Sequence, residues 1–165
     1  MIIGDGDIAS AIRDRADRVY FASGVSNSQE TREYQYKMEA DLLLSQPKDK
    51  RLVYFSSLSI FYADTRYAQH KRYMERLVKL NFPNYCIVRL GNITWGKNPH
   101  TLINAMRKQL LKGESLDIRN VYRYLIDRKE FRHWLDLIPE FNAEMNIPGK
   151  MMKVKQIVDK YIIPF

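Results

Sequence analysis

The 165-residue chain is 45% hydrophobic and 28% charged, a composition that is typical of folded globular proteins and excludes a disordered chain. Its length suits one domain and excludes two domains of full size. The formal net charge of +8 would attract phosphate groups, but the basic residues alternate with acidic ones, which argues against a nucleic-acid-binding stripe.

Cysteine usage and hydropathy restrict the kinds of site and the location. Cys86 is the single cysteine, which excludes an internal disulfide, and no group of Cys and His residues has metal-binding spacing, so we expect no metal site. The sequence has neither a signal peptide nor an apolar stretch approaching the roughly 18 residues needed to cross a bilayer. We therefore expect a cytoplasmic protein with no membrane or nucleic-acid partner.

Strands and helices are predicted to alternate along the N-terminal part of the chain. Short apolar runs indicate strands, and longer segments with helical spacing indicate helices. In chain order these are a strand over residues 1–3, a helix over 8–15, a strand over 19–22, a helix over 29–44, a strand over 52–55, a helix over 68–80 and a strand over 85–90. This alternation predicts an α/β fold with a doubly wound parallel sheet of Rossmann type.

The C-terminal third is less regular. It predicts three helices, over residues 102–112, 131–138 and 154–161. Since no linker or repeat interrupts the chain, we interpret the part from about residue 97 to residue 165 as a small helical cap on the sheet. Residues 1–165 are thus predicted to form one domain.

A glycine-rich turn follows the first predicted strand, where Gly4, Gly6 and Ala9 form a G-x-G-x-x-A pattern. In such a turn the first glycine permits a tight bend, the second lets a diphosphate approach the backbone, and the third small residue allows close helix packing. A plain glycine-rich turn is the alternative. Because carboxylates repel a diphosphate, we expect Asp5 and Asp7 to point towards solvent.

A second group follows the strand predicted over residues 52–55. Tyr67 and Lys71 are four residues apart, so they share one face of the predicted helix. The Lys71 ammonium would favour the ionised phenol and lower its pKa, while a serine hydroxyl at the strand end, from Ser56 or Ser57, would hold a substrate oxygen. The alternative is a surface helix pair, because this spacing arises easily by chance in a chain with 11 tyrosines.

Residues 52–71, LVYFSSLSIFYADTRYAQHK, resemble the extended short-chain dehydrogenases and reductases, the family of sugar-nucleotide epimerases and dehydratases. In that family a strand ends in a pair of hydroxyl residues, and a later Tyr-x-x-x-Lys begins a helix. The resemblance places the catalytic serine at Ser57, the acid/base tyrosine at Tyr67 and its lysine at Lys71. It continues through residues 86–96, CIVRLGNITWG, and through residues 22–24.

The resemblance implies an NAD(P)-dependent oxidoreductase, or a sugar-nucleotide epimerase or dehydratase, acting on a small-molecule substrate. It also implies a cofactor that lies across the carboxyl ends of the strands. The residues expected to bind this cofactor are Gly4, Asp5, Gly6, Asp7, Ile8, Ala22, Ser23, Gly24, Tyr67, Lys71, Leu90, Asn92 and Ile93. The alternative is a catalytically weak NAD(P)-binding protein with a regulatory or structural role.

The chain also departs from the family pattern. The family's second and third strands have no counterpart, because about ten residues separate Ala9 from Val19. The acidic residue that normally binds the adenosine ribose of NAD is lost with them. We therefore favour NADP over NAD, with Arg13 or Arg15 reaching the 2′-phosphate. The same loss makes residues 1–3 an edge strand, which predicts a homo-oligomer, a dimer or tetramer, that covers it.

The histidines and tryptophans receive structural interpretations. We expect His70, His100 and His133 to be surface or helix residues rather than metal ligands, since none has a partner at ligand spacing. Trp95 and Trp134 are interpreted as core or cap aromatics, with the lining of a pocket as the alternative for Trp95.

Overall fold

The computed structural model describes residues 1–163, and within them the chain forms eight strands and five α-helices. The strands are β1 (Ile2–Ile3), β2 (Arg18–Phe21), β3 (Arg51–Ser57), β4 (Tyr85–Leu90), β5 (Asn92–Ile93), β6 (Tyr122–Ile126), β7 (Ala143–Ile147) and β8 (Lys150–Lys153). The helices are α1 (Glu33–Leu44), α2 (Arg66–Asn81), α3 (Leu102–Leu111), α4 (Arg128–Asp136) and α5 (Val154–Ile157). None of these helices combines the length and apolar character that crossing a membrane requires.

Five strands form a parallel sheet in the order β1-β2-β3-β4-β7. In its register, Val53 at the centre of β3 lies between Tyr20 of β2 and Cys86 of β4. The predicted α/β fold with a parallel sheet is confirmed. Within residues 1–163, β2 is the one neighbour of β1, so the predicted edge position of the first strand is also confirmed.

Both faces of the parallel sheet are buried, which explains why its central strands are almost continuously apolar. One face packs against α1 and α2, through a cluster that includes Leu43, Tyr54 and Met74. The other face packs against α4, where the rings of Phe55 and Phe131 lie 5.7 Å apart. The central strands therefore cannot shift without disrupting the core on both sides.

The two helices on the first face begin where local hydrogen bonds define their ends. Thr65 Oγ1 accepts the backbone N–H of Ala68 at 3.2 Å and caps α2, which therefore begins at Arg66 rather than at residue 68. The Glu30 carboxylate accepts the backbone N–H groups of Thr31 and Arg32, so that stretch forms a turn and α1 begins after it.

The prediction of a helix over residues 8–15 is wrong. The chain makes a short 3-10 turn, Ala9–Ala11, and becomes extended at Ile12. A crossover between parallel strands usually needs a dozen or more residues, most of them in a helix. The segment between β1 and β2 must also make the glycine turn, which leaves too few residues for a full helix.

The C-terminal part is mixed rather than helical. Its predicted helices correspond to α3, α4 and α5, the last continuing as a π turn over Val158–Ile162. The prediction missed its strands: β7 is the fifth strand of the parallel sheet, while β6 and β8 join β5 in a separate three-stranded sheet. β7 escaped notice because Ile147 is its one buried residue, so it contains no apolar run. The single-domain reading of the chain stays a prediction.

A buried ion network joins α2 to the parallel sheet. Arg89 on β4 donates hydrogen bonds to Glu75 on α2 at 2.6 and 2.9 Å and to Glu144 on β7 at 2.5 Å. The side chains of Arg89 and Glu75 are 9% and 6% exposed, so water screens this pair very little.

We expect Arg89→Met to lower the free energy of unfolding by about 3 kcal/mol, because it leaves the Glu75 carboxylate buried without its partner. Urea denaturation measures the change. Lys79→Met is the matched control, since Lys79 contacts the same Glu144 from a side chain that is 38% exposed. It should cost less than about 1 kcal/mol. An equal loss of unfolding free energy in the two variants would contradict the larger contribution that we assign to the buried Arg89–Glu75 pair.

Candidate active site

A cavity of about 1110 Å³ opens at the carboxyl ends of β1, β2, β3 and β4. Parallel strands end at the same edge of a sheet, so residues far apart in sequence meet there. Every predicted catalytic and cofactor-binding residue lines this cavity, namely Gly4, Asp5, Gly6, Asp7, Ile8, Ala22, Ser23, Gly24, Ser57, Tyr67, Lys71, Leu90, Asn92 and Ile93.

The glycine turn has the shape that a diphosphate needs. Gly4 has a φ of +114°, and a Cβ there would lie 2.6 Å from the carbonyl oxygen of Ala22, so the position requires glycine. A Cβ on Gly6 would meet no atom within 4 Å. The backbone N–H groups of residues 6–8 donate to no other group in the described part of the chain. The turn thus offers space and donors, but no long helix whose dipole would reinforce them.

Asp5 is exposed, as expected, but the expectation for Asp7 is wrong. The Asp7 carboxylate accepts the backbone N–H groups of Lys97 and Asn98, both at 2.9 Å. Its carbonyl oxygen accepts the indole N–H of Trp95, also at 2.9 Å. Asp7 therefore fastens the glycine turn to the loop that precedes α3, and these donors partly offset its charge.

Two serines end the central strand. Ser57 Oγ accepts the backbone N–H of Ser59 at 3.1 Å, which leaves the Ser57 hydroxyl hydrogen free to donate. Ser56 is 6% exposed, lines the same cavity, and its Oγ has no hydrogen-bond partner within residues 1–163. Buried hydroxyls are normally paired, so Ser56 is a polar group of the cavity wall that sequence reasoning passed over.

Tyr67 and Lys71 lie one turn apart in the first half of α2. Lys71 Nζ is 5.6 Å from the centroid of the Tyr67 ring. Its hydrogen bonds run to Glu39 Oε1 at 2.9 Å and to Tyr54 Oη at 3.3 Å. The ammonium therefore faces the Tyr67 ring while it is held from behind by two buried groups that the sequence did not single out.

Burial and pairing decide the charges of these groups. Burial acts to raise the pKa of Glu39, but the Lys71 ammonium and the hydrogen bonds from His70, Lys71 and the Val25 amide outweigh it and lower that pKa to about 2. Burial acts to lower the pKa of Lys71, but the Glu39 carboxylate holds it well above its ordinary value. Burial raises the pKa of Tyr54. At neutral pH, Glu39 and Lys71 thus form an ion pair beside a neutral phenol.

The histidines and tryptophans occupy different surroundings. His70 lies in α2, which agrees with its interpretation as a helix residue, and it is buried, with 2% of its surface exposed. His100 is exposed and lines the main cavity. Trp95 packs against Phe131 with ring centroids 5.3 Å apart, as a core aromatic does. Within residues 1–163, no cluster of three or more His, Cys, Asp or Glu residues could hold a metal ion.

Arg13 and Arg15, the candidates for a 2′-phosphate of NADP, are not among the residues that line the main cavity. They line a separate cavity of about 180 Å³ together with Arg132, and Arg15 is paired with Asp17 at 3.1 Å. The preference for NADP that depended on them is therefore not supported. Two other cationic residues, Arg119 and Arg123, line the main cavity, although the sequence pattern did not indicate them.

The fold of this chain is similar to that of several solved enzymes. The Bordetella bronchiseptica enzyme WbmG, solved with NAD and UDP, has a TM-score of 0.69 at 16% identity, over 87% of this chain and 54% of its own. The UDP-glucuronic acid 4-epimerase of Bacillus cereus was solved with NAD and a fluorinated UDP-sugar. It has a TM-score of 0.69 at 17% identity, and the match covers 93% of this chain and 60% of the epimerase. The UDP-glucose 4-epimerase of Thermotoga maritima was solved with UDP-glucose. It has a TM-score of 0.65 at 15% identity, and the match covers 87% of this chain and 59% of the epimerase.

No protein-family model and no curated protein sequence matches the chain. The chain spans between 54% and 60% of the length of these three solved proteins. At such low identities the likeness is one of fold. The chain therefore has the Rossmann-type α/β fold of these three solved proteins, over a little more than half of their length.

Proposed function

We propose that this chain binds NAD at the carboxyl ends of the sheet and transfers a hydride and a proton on a sugar nucleotide. The observation that carries the proposal is the meeting of the glycine turn, the end of β2, Ser57 and the Tyr67–Lys71 pair along one cavity. Two neighbours, one solved with NAD and UDP and the other with NAD and a UDP-sugar, support this choice of ligands. When bound, NAD supplies the group that accepts and returns the hydride.

The cavity suits a dinucleotide in size and in chemistry. Its volume of about 1110 Å³ exceeds that of most pockets for single drug-sized ligands, which reach about 1,000 Å³. The free backbone N–H groups beside Gly6 would hold the diphosphate. Ala22 and Ser23 would border the cofactor on the β2 side, and Asn92 on the β4 side.

Three side chains would perform the proton chemistry. Oxidation of a sugar alcohol removes a hydride from carbon and a proton from oxygen, and Tyr67, in its ionised phenolate form, would accept that proton and later return it. The Ser57 hydroxyl would donate a hydrogen bond to the same substrate oxygen. The Lys71 ammonium would stabilise the ionised phenol and hold the nicotinamide ribose. Epimerisation and dehydration would begin with this step, and ketone reduction would run it in reverse.

Cationic residues of the cavity support an anionic substrate. Arg119 and Arg123 line it together with the catalytic residues. A guanidinium binds phosphate oxygens through paired N–H donors, so these two residues would recognise the diphosphate of a sugar nucleotide.

The second candidate function is NAD binding without turnover, in a regulatory or structural role. The observation that favours it is the arrangement of Lys71, whose hydrogen bonds run to Glu39 and Tyr54 and not, within residues 1–163, to Tyr67. Binding of NADH without turnover of any sugar nucleotide would distinguish this function from the first.

The edge of the sheet supports a proposal on assembly. β1 pairs with β2 on one side through two residues, and its other edge has no partner strand in the described part of the chain. Unpaired edges favour pairing with another chain. We propose a homodimer or homotetramer that covers this edge.

We expect Gly6→Val to weaken NADH binding at least about tenfold, a loss of about 1.4 kcal/mol, because the new side chain fills the space proposed for the diphosphate. The fold should be unchanged, since a Cβ at Gly6 meets no atom within 4 Å and its φ is not positive. Fluorescence titration with NADH measures the affinity. Ala16→Val is the control, because Ala16 is exposed and is not among the residues that line the cavity. Wild-type affinity in the Gly6 variant would contradict the proposed diphosphate position.

We expect Tyr67→Phe to reduce turnover at least about 100-fold, because the proton carrier is removed, while NADH affinity changes less than about twofold. NADH absorbance and product analysis, with UDP-glucose and UDP-glucuronic acid as first substrates, measure turnover. Tyr73→Phe is the control, since Tyr73 lies on the same helix and is 43% exposed. Full turnover in the Tyr67 variant would refute its role.

A further inference from the structure

A buried carboxylate lies behind the cavity wall, outside the residues that line the cavity. Glu39 on α1 is 2% exposed. Its Oε1 accepts hydrogen bonds from Lys71 Nζ at 2.9 Å and from Tyr54 Oη at 3.2 Å. Its Oε2 lies 3.0 Å from His70 Nε2 and accepts the backbone N–H of Val25, also at 3.0 Å. Each oxygen of the Glu39 carboxylate therefore has two hydrogen-bond partners.

The position of Glu39 in α1 is one that ordinarily holds an apolar residue. The buried residues of this helix are Tyr36, Glu39, Ala40 and Leu43, which form its inner face against the sheet. A buried ion pair is seldom more stabilising than apolar residues of similar volume, because both charges must be stripped of water. Stability therefore gives no reason for a carboxylate at this position.

We propose that Glu39 is a positioning residue of the active site. Its carboxylate holds the Lys71 ammonium at a set place beside Tyr67, and it also holds the turn after β2 against the cavity. This inference rests on the proposed function, which assigns Lys71 and that turn to cofactor binding.

The first part of the argument concerns the lysine. A lysine side chain is a point charge on a flexible four-carbon stem, so its ammonium has a defined place where partners hold it. Lys71 is 5% exposed and lies 5.6 Å from the Tyr67 ring centroid. Its ion pair with Glu39 sets this distance, because Glu39 comes from a different helix and is itself immobilised by the hydrogen bond from Val25.

The second part concerns the turn after β2. Gly24 has a φ of +125°, and a Cβ there would lie 2.3 Å from Glu39 Cδ, so the turn closes directly on the carboxylate. The Val25 N–H donates to the same group, while Ser23 and Gly24 line the cavity. The Glu39 carboxylate thus links the backbone of the turn after β2 to the Lys71 ammonium.

The test begins with Glu39→Gln, which keeps the shape of the side chain and removes its charge. We expect NADH affinity to fall about tenfold and the Val25 amide to exchange with solvent about tenfold faster, while amides inside β3 keep their protection. Titration of NADH fluorescence and hydrogen exchange followed by NMR give the two readings. If Glu39 had a purely structural role, the substitution would speed amide exchange in β3 as well as at Val25.

A double-mutant cycle asks whether Glu39 acts through Lys71. In a Lys71→Met background, Glu39→Gln should weaken NADH binding by less than about threefold, since the ammonium that it positions is gone. An equal loss in both backgrounds would overturn the proposed positioning of Lys71. Glu33→Gln is the matched control, because it is the same substitution on an exposed residue of α1, and it should leave both readings unchanged.

The outcomes separate this inference from the proposed function. If the folded wild-type protein does not bind NADH, the proposed function fails and the inference fails with it. If the wild type binds NADH and Glu39→Gln binds it equally well, the inference alone fails. If Glu39→Gln lacks a cooperative melting transition, Glu39→Asp replaces it, because the shorter side chain keeps the charge but draws the carboxylate back from Lys71. Unchanged NADH affinity in that variant would likewise overturn the proposal.

Discussion

Parallel pairing of β2, β3 and β4 is the constraint on which the site depends. Parallel strands end at one edge of the sheet, so each strand brings the residues that follow it to the same place. The glycine turn after β1, Ser57 at the end of β3 and Asn92 after β4 meet there without being near one another in sequence. Helices pack on both faces of the sheet, so the strands that form this edge cannot shift without disrupting the core.

The short side of the sheet changes how a cofactor would be held. β1 has two residues and one neighbouring strand among the described residues, and a 3-10 turn stands where a helix would follow. The glycine turn consequently depends on contacts from elsewhere. Asp7 supplies them, because its carboxylate accepts N–H groups of the loop before α3 and joins the two sides of the cavity. The presence of a carboxylate in the turn proposed to bind the diphosphate thus has a structural explanation.

Buried charges orient the helix that carries Tyr67. Lys71 and Glu75 lie one turn apart on α2, and they pair with Glu39 on α1 and with Arg89 on β4. Apolar packing tolerates small rotations of a helix, whereas an ion pair in a buried site needs defined geometry. The two pairs therefore hold α2 against both of its neighbours and define the direction in which the Tyr67 side chain leaves the helix.

Local patterns in the sequence were enough to predict the parallel sheet and the glycine turn, because strand, turn and helix signals extend over a few residues. The assignment of Ser57, Tyr67 and Lys71 needed the family resemblance as well, since the Tyr-x-x-x-Lys spacing arises easily by chance. The tertiary structure alone decided that residues 8–15 do not form a helix, that β7 joins the sheet, and that Asp7 binds a distant loop. It also decided the burial of Glu39 and its pairing with Lys71, since nothing in the sequence distinguishes this residue from an exposed helical glutamate. The physical reason is that burial and ion pairing are set by partners that only the folded chain brings together.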